Sequence, residues 1–392
     1  MKILVAHNRY QFAGGEDAVV GDETALLREH GHSVELLEED NDSIQGLRGA
    51  LLAAASITYS AGSRNRIRQR IGEFKPEILH IHNWFPRLSP SIILEAAAQG
   101  VPVIQTLHNY RMVCANALLF RNGAICTDCL GRPLPIGGAL HGCYRGSRAG
   151  SAVVTAAYAF HRLFHTWEKV DLFIAVSEFQ RSLLLRGGMA AEKIVVKPNF
   201  VHDPGMEPRG EREDFALYAG RLFEEKGIRT LLAAWKTGKI PLRLRIYGDG
   251  PLAGEVISCA KENSLIEYRG RQPTETIYEE MARARFLVFP SESYETFGKT
   301  VIEAYSHGTP VLAADLGNLQ ELVEAGATGC RFQPGDADSL VTEALRFPRG
   351  DLYQQMSRRC RDTYAARYSA GSNYQALMEI YAHALELRRA RG

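Results

Sequence analysis

Short apolar, β-prone runs alternate with segments of helical length along the whole chain. In the first half these runs predict six strands, at Ile3–Ala6, Ser33–Glu38, Leu79–His82, Val101–Leu107, Leu172–Val176 and Ile194–Lys197. In the second half the pattern restarts and predicts six more, at Phe215–Ala219, Leu242–Tyr247, Ile266–Arg269, Phe286–Phe289, Val311–Ala314 and Cys330–Phe332. Strands that alternate with helices form parallel sheets with helices on both faces. The pattern therefore predicts an α/β protein in two halves of similar size.

A polar segment rich in proline and glycine, residues 201–214, separates the two halves and is interpreted as a linker. We therefore expect a first domain at residues 1–200, a second at residues 201–370, and a last helix within residues 371–392. A length of 392 residues fits this division, at about 100–200 residues per domain.

Composition excludes several classes of protein. With 45% hydrophobic and 23% charged residues the chain is globular, and a formal net charge of +1 gives no sign of nucleic-acid binding. The apolar run at Met1–His7 is too short for a signal peptide, and no uninterrupted apolar run reaches ~18 residues. Seven cysteines without a secretion signal favour a reducing cytoplasm.

The stretch from Glu295 to Glu303 follows a predicted buried strand and opens a helix. Gly298 lets the backbone approach a ligand, and the N–H groups of the first turn, near Phe297–Thr300, favour an anion. Lys299 adds a positive charge. Glu303 lies one turn further, at a distance that suits a pair of ribose hydroxyls, and Glu295 can face the group attached to the anion.

A second motif places Arg221 and Lys226 after the first strand of the second half, where a pair of cations suits a diphosphate. The turn at Gly248 and the end of the next strand at Arg269 are weaker signals, because an ordinary tight turn explains Gly248 equally well.

These residues carry a resemblance. The Glu295-x7-Glu303 stretch, with Phe297-Gly298-Lys299 inside it, resembles the donor-binding motif of retaining nucleotide-sugar glycosyltransferases of the GT-B fold, and is most similar to family 4. The segment around Arg221 and Lys226 matches the same family. The resemblance implies two Rossmann-like domains facing each other across a cleft, with the last helix crossing back to the first domain.

The resemblance also implies roles for these residues. Arg221 and Lys226 would neutralise the leaving diphosphate, and Glu295 would hold the hexose. The donor itself would be bound by Gly248, Arg269, Phe297, Gly298, Lys299, Thr300 and Glu303.

In the first half, paired glycines in the first βα loop suit backbone contact with a phosphate or a sugar. Family members carry two glycines and a nearby acid here, which Gly14, Gly15 and Glu16 match. His108 follows the fourth strand, where a histidine of the family approaches the donor hexose; a purely structural histidine is the alternative. His82 and Asn83 are interpreted as acceptor-side residues.

Four cysteines, Cys114, Cys126, Cys129 and Cys143, fall within a loop of about thirty residues. Their spacing resembles a closed structural zinc site rather than a catalytic metal centre. Reduced thiols without metal are an equal alternative, and a disulfide is a weaker one.

Arginines recur at positions 64, 66, 68 and 70 on a predicted helix, and again at positions 145, 148 and 162. Arginine at every second position surrounds a helix instead of forming one stripe, so a solvated helix is the default interpretation. An anionic membrane surface or a lipid diphosphate is the functional alternative. The Asp-x-Asp spelling at Asp40 and Asp42 is interpreted as a polar turn, since the metal-binding signature of that form belongs to single-domain transferases.

The sequence therefore predicts a metal-independent, retaining glycosyltransferase without a required cofactor. It would transfer a hexosyl unit from a UDP- or GDP-sugar to a glycan, expected to be lipid-linked, in cell-surface or exopolysaccharide synthesis. We expect a cytoplasmic location with peripheral contact to the inner face of the membrane, and no nucleic-acid partner. The alternatives are a sugar-nucleotide epimerase of the same fold and a non-catalytic nucleotide-sugar-binding accessory protein.

Overall fold

The structure is a computed structural model that describes residues 1–9, 15–40, 54, 56–205 and 212–390. The chain divides into two compact units. The first comprises Met1–Leu119, Thr127–Asn199 and Asn373–Gly392, and the second comprises Phe120–Cys126 and Phe200–Ser372. Two sequence predictions, for Gly14 and for Asp42, lie outside the described residues.

The first unit contains a six-stranded parallel sheet. Its strands are β1 (Lys2–Arg9), β2 (Ser33–Asp40), β3 (Ile78–Asn83), β4 (Val103–Leu107), β7 (Leu172–Ala175) and β8 (Ile194–Val196), in the order β2-β1-β3-β4-β7-β8. Every residue of β3, β4 and β7 is buried, as expected for central strands covered by helices on both faces.

Helices connect these strands. They are α1 (Gly15–Glu29), α2 (Ala61–Phe74), α3 (Ser91–Ala98), α4 (Ile136–Leu140), α5 (Arg148–Leu163) and α6 (Glu178–Arg186). Serine side chains cap three of them, because Ser60, Ser147 and Ser177 each accept a hydrogen bond from a backbone N–H in the first turn of α2, α5 and α6.

A helix from the end of the chain completes the core of the first unit. Helix α14 (Ala370–Arg389) buries Leu377, Ile380, Tyr381 and Ala384 against the apolar residues of β1, β3, β4 and β7. The apolar positions of this helix therefore have a packing role.

The second unit contains another six-stranded parallel sheet. Its strands are β9 (Glu213–Ala219), β10 (Arg243–Tyr247), β11 (Ile266–Gly270), β12 (Ala284–Phe289), β13 (Val311–Ala314) and β14 (Gly329–Phe332), in the order β11-β10-β9-β12-β13-β14. Its helices are α7 (Ile228–Lys236), α8 (Ala253–Glu262), α9 (Thr274–Arg283), α10 (Lys299–Ser306), α11 (Leu319–Leu322), α12 (Ala337–Arg346) and α13 (Gly350–Arg367). A short hairpin of β5 (Phe120–Arg121) and β6 (Ala124–Ile125) belongs to this unit.

The predicted fold class is confirmed, with six parallel strands in each sheet. Strand ends differ from the prediction by three residues or fewer, with the largest difference at β1, which ends at Arg9 and not at Ala6. Strand β4 begins at Val103 and not at Val101, because Val101 still belongs to the turn after α3. Within the described residues, no helix has the length and apolar character needed to cross a membrane.

Candidate active site

Two loops at the carboxyl edge of the second sheet are joined by hydrogen bonds. Because β9 and β12 are neighbours, the loop after β9 meets the loop after β12. The backbone carbonyl of Glu225 accepts a hydrogen bond from Ser291 Oγ at 3.1 Å and another from the Glu292 backbone N–H at 3.0 Å. Thr230 donates to the Glu292 carboxylate at 2.5 Å. These bonds bring the two predicted donor motifs together.

Lys226 and Glu295 form an ion pair across these loops. Lys226 Nζ lies 2.6 Å from Glu295 Oε1, and Ser291 Oγ donates to the same oxygen at 2.6 Å. Burial raises the pKa of Glu295, but Lys226, the Ser291 hydroxyl and Arg221 outweigh burial, so the pKa lies below its ordinary value. Glu295 is therefore an anion held by a cation, which limits it to accepting hydrogen bonds from a ligand.

Arg221 is more exposed than Lys226. Its side chain is 58% exposed, and its guanidinium lies 3.9 Å from a Glu225 carboxylate oxygen and covers the Phe223 ring at 5.0 Å. The Tyr218 hydroxyl donates to the Arg221 backbone carbonyl at 2.8 Å and so holds this loop. The side chain is available to an anion at the edge of the sheet.

The first turn of α10 has the features that the sequence predicts for an anion site. Gly298 is its N-cap residue, with φ of 93°, and has no side chain that could cap the helix. A Cβ atom at Gly298 would lie 3.2 Å from Leu322 Cδ1 in addition to straining the backbone. Lys299 Nζ and Glu303 Oε1 lie 4.0 Å apart on the same side of α10. The side chains of Lys299 and Glu303 are therefore neighbours, one turn apart.

Phe297 has a structural side chain. The ring is buried and meets Tyr368 edge-on at 6.0 Å, and Asn318 donates a hydrogen bond to the Phe297 carbonyl. Any contact between Phe297 and a donor would therefore involve its backbone.

Close packing explains why a glycine occupies position 248. A Cβ atom there would lie 1.8 Å from the Gly220 carbonyl oxygen, because the loop after β10 runs along the loop after β9. Arg269 is exposed and donates to Glu267 Oε2 at 2.6 Å. Donor binding by Gly248 and Arg269 stays a prediction.

In the first unit, three histidines lie side by side, His80 and His82 on β3 and His108 directly after β4. His82 Nδ1 lies 2.9 Å from His108 Nε2, and these rings are stacked at 5.2 Å. The His80 ring lies 4.3 Å from the His82 ring and bonds Thr106 and Tyr381, both at 2.8 Å. Burial lowers the pKa of all three histidines, so they are neutral at pH 7.

A buried ion pair lies behind these histidines. Glu23 of α1 and Lys197, directly after β8, are both buried, with Nζ 2.7 Å from Oε2. Glu23 Oε1 lies 3.3 Å from His80 Nδ1 and from His82 Nε2, which is an electrostatic contact without a well-directed hydrogen bond. Burial raises the pKa of Glu23, but Lys197 and the histidines outweigh it and the pKa lies well below the ordinary value.

Sequence reasoning identified His82 and His108 and missed Glu23 and Lys197. The available signal was an acid at a buried position of α1 and a lysine at the end of an apolar strand. Local periodicity does not show that these two positions, 174 residues apart, meet.

Among the residues that the structure describes, Glu23, His80 and His82 are the only set of three or more side chains close enough to hold a metal ion. The Lys197 ammonium already supplies a positive charge at Glu23, so we interpret the set as part of an ion-pair network. The four cysteines of the zinc prediction are reduced and do not form such a set. Zinc at Cys114, Cys126, Cys129 and Cys143 thus stays a prediction that would require the thiols to come closer together.

Gly15, Glu16 and Asn83 are the other first-unit residues that the sequence predicts at the site. Gly15 and Glu16 begin α1, at the end of the loop that follows β1. Asn83 is buried and donates to the Asn8 carbonyl at 2.8 Å, while its own oxygen accepts from the Phe85 N–H at 2.9 Å. Asn83 therefore holds the backbone after β3, and an acceptor contact remains a prediction.

The arginines of α2 have acidic partners. Arg64 and Arg68 bind the two oxygens of Glu95 at 2.5 and 2.6 Å. Arg66 binds Glu39 at 2.7 Å, and Arg70 lies 3.5 Å from Glu35. These pairs give the alternating arginines a structural role, and they favour the solvated-helix interpretation.

Comparisons with known proteins give one family match for each of the two units. Residues 14–199 match the family described as glycosyl transferase 4-like domain, and residues 213–347 match the family described as glycosyl transferases group 1. O-antigen chain mannosyltransferase B of Escherichia coli is 26% identical over 223 residues, which cover 51% of this chain and 57% of that protein.

Solved structures share the fold. Sucrose-phosphate synthase from Thermosynechococcus elongatus has a TM-score of 0.71 at 18% identity, covering 97% of this chain and 98% of that one. HepE from Anabaena in complex with UDP has a TM-score of 0.67 at 16% identity, covering 97% of this chain and 100% of that one. HepE has also been solved with UDP-glucose.

The two family matches, one on each parallel sheet, together with this fold, place the chain among the GT-B glycosyltransferases. The chain spans little more than half the length of the first curated relatives that it matches, 57% and 52%.

Proposed function

We propose that this chain transfers a hexosyl unit from a nucleotide-sugar to a glycan acceptor. The observation that carries the proposal is the joining of the two donor motifs by the Lys226–Glu295 ion pair, with Arg221 and the start of α10 on the same edge of the sheet. The match to a mannosyltransferase that acts on O-antigen chains favours a cell-surface glycan as acceptor.

The charges in the second unit suit the departure of a diphosphate. Bond cleavage at the anomeric carbon leaves negative charge on the diphosphate and positive charge on the sugar. We assign stabilisation of the diphosphate to Arg221, Lys226 and the first turn of α10, with Glu303 on the ribose. Glu295, held as an anion by Lys226, accepts hydrogen bonds from the hexose and favours its developing positive charge.

The first unit contributes a neutral histidine. His108 donates or accepts a hydrogen bond with His82, and we propose that His108 also binds a hexose hydroxyl. Glu23 and Lys197 then fix the orientation of His82 behind it, as positioning residues. We further propose retention of configuration by attack on the same face with assistance from the leaving phosphate, and independence from metal ions.

The experiment is nucleotide release from a panel of UDP-, GDP- and ADP-sugars, with and without a membrane lipid extract, in the presence of EDTA. Release that requires the extract, survives EDTA and disappears in Glu303→Ala supports the proposal and identifies the donor. The control is Glu324→Ala, which removes an exposed carboxylate from the same unit and should behave as wild type. Release of nucleotide with no acceptor, accompanied by an epimerised sugar, would instead identify an epimerase, and binding without release would identify an accessory protein.

A further inference from the structure

A cavity of about 790 Å³ lies within the first unit, and none of the residues proposed above for donor binding or for the hexose lines it. Its volume is in the range of small-molecule sites, ~300–1,000 Å³. The walls come from the loop after β4, from α5, from the loop after α6 and from the start of β7. The apolar part of the lining includes Val113, Val154, Tyr158, Trp167, Phe173 and Met189.

The charged lining is strongly biased towards cations. Glu168 and Glu192 are its acidic residues. Its basic residues, apart from His165, are Arg111, Arg132, Arg162, Lys169, Lys193 and Arg388. A cavity with this charge balance favours an anion.

Arg111 has two enclosed guanidinium nitrogens without an acceptor among the described residues. Its Nε and Nη1 atoms are enclosed and make no hydrogen bond to any residue in the described part of the chain. The guanidinium covers the Phe85 ring at 3.9 Å, which fixes its plane. By contrast, Lys193 and Arg388 donate to backbone carbonyls at 2.6–2.7 Å. Enclosed guanidinium donors without an acceptor are unfavourable, so a bound anion would stabilise this arrangement.

Tyr158 supplies a second enclosed donor. Its hydroxyl is buried and has no hydrogen-bond partner among the described residues. Burial raises the pKa of Tyr158, and the nearby Arg111 offsets this only in part, so the hydroxyl keeps its proton at neutral pH. Arg111 and Tyr158 together offer a charged and a neutral donor to one oxyanion, such as a phosphate.

The rim of the cavity is unusually apolar for an exposed surface. Leu163 and Phe164 are 72% and 59% exposed and lie between the lining residues Arg162 and His165 in the chain. Ile136, which follows the lining residue Pro135, is 53% exposed. A ligand that fits both the charged interior and this rim carries an anionic group and a hydrocarbon chain.

We propose that this cavity binds a phosphate ester of a long hydrocarbon chain, with the phosphate at Arg111 and Tyr158 and the chain leaving over Leu163 and Phe164. The proposal rests on the proposed function in one respect, that such a ligand would be the carrier end of the glycan acceptor.

The test is isothermal titration of the full chain with farnesyl phosphate, with inorganic phosphate and farnesol as separate probes of the two ends of the ligand. No nucleotide-sugar is present, so the result does not depend on transferase activity. Farnesyl phosphate should bind at least about tenfold more tightly than either fragment. Loss of a charge-assisted hydrogen bond in Arg111→Gln should weaken binding about ten- to a hundredfold.

Two further variants test the proposal if Arg111→Gln fails to fold. Arg162→Gln changes an exposed lining residue and should weaken farnesyl phosphate binding. Met189→Trp fills the cavity without changing its charge and should abolish binding. Arg186→Gln is the matched control, because Arg186 is exposed on α6 and does not line the cavity, and its affinity should equal that of wild type.

Three results would overturn the proposal. They are binding of farnesyl phosphate no tighter than that of inorganic phosphate, unchanged binding in both Arg162→Gln and Met189→Trp, and equal weakening in Arg186→Gln, which would indicate general attraction of anions to a basic surface. A negative transferase assay together with the expected binding would leave this cavity assigned and would contradict only the proposed function.

Discussion

Lys226 and Glu295 are separated by 69 residues in the chain, and their side chains form an ion pair of 2.6 Å. Lys226 follows β9 and Glu295 follows β12, so the pair spans two neighbouring strands at their carboxyl ends. The Lys226 ammonium therefore keeps Glu295 ionised and also adds positive charge where the diphosphate is proposed to bind.

Replacement of Lys226 should therefore affect catalysis more than folding. We expect Lys226→Ala to lower kcat/KM about 10²–10³-fold, as found when one stabilising group of a transition state is removed. The measurement is steady-state nucleotide release with the donor identified above, together with the melting temperature. Lys239→Ala is the control, since Lys239 is 62% exposed and has only a distant contact with Asp338. A Lys226→Ala enzyme with half of the wild-type kcat/KM would contradict this assignment.

The contact between the loops after β9 and β10 predicts a difference between two glycines. Gly248→Ala should lower both the melting temperature and the affinity for the nucleotide-sugar, because its Cβ would lie 1.8 Å from the Gly220 carbonyl oxygen. Gly254→Ala should leave binding unchanged and stabilise the protein by about 0.5–1 kcal/mol, since the site is open and lies within α8. Thermal unfolding and titration with UDP, or with the base that the panel identifies, measure both effects. If the two variants behave alike, the close approach of the loops is wrong.

The Glu23–Lys197 pair predicts a large loss of stability when one partner is removed. Glu23→Gln leaves the buried Lys197 ammonium without its counter-ion, which typically costs about 3–5 kcal/mol. Urea denaturation followed by circular dichroism should show an earlier transition in Glu23→Gln and in Lys197→Met. The double variant should lose less stability than the sum of the two single losses, because neither charge is then left unpaired. Additive losses would show that the two groups do not interact.

Glu95 gives a prediction for the dependence of stability on pH. Hydrogen bonds from Arg68 and Arg64 lower the pKa of Glu95 from 4.5 to about 2, against the effect of burial. A carboxyl group with a lowered pKa in the folded state binds its proton more readily in the unfolded state. Its stabilising contribution is therefore complete above about pH 4.5 and is lost as the pH falls towards 2.

The measurement is the difference in melting temperature between wild type and Glu95→Gln as a function of pH. We expect this difference to be largest near pH 7 and to shrink on acidification from pH 4.5 to pH 2.5. Glu73→Gln is the comparison, because Glu73 is exposed on the same helix as the two arginines. A difference that is constant over this range would mean that the Glu95 carboxylate is not the group that the arginines stabilise.

The fold could be predicted from the sequence because its information is local. Each buried strand is a short apolar run, as at Val311–Ala314, where the predicted and observed strands coincide. The donor motifs were also readable, because Arg221, Lys226 and Glu295 lie within a few residues of strand ends, and parallel strands bring such positions to one edge.

The features that could not be predicted from the sequence depend on contacts between distant parts of the chain. Nothing near Glu23 in the sequence specifies Lys197, and nothing near Arg111 shows that its guanidinium will be enclosed beside Tyr158. Phe297 is predicted to contact the donor through its backbone, and nothing near it in the sequence shows that its ring lies beside Tyr368. In these cases tertiary packing determines the environment of the side chain, and the local periodicity of the sequence carries no information about that packing.

The place of Asn373 and Tyr381 in the first unit has a consequence for biosynthesis. Asn373 binds Lys197 and the Pro198 carbonyl, and Tyr381 binds His80, so residues translated after the whole second unit complete the core of the first unit. Domains usually fold in the order in which they are translated. Here the second unit, although it is translated later, can complete its folding first. The first unit keeps the apolar faces of β1 and β3 uncovered until α14 has been translated. In a cell this interval is when chaperones would be needed most.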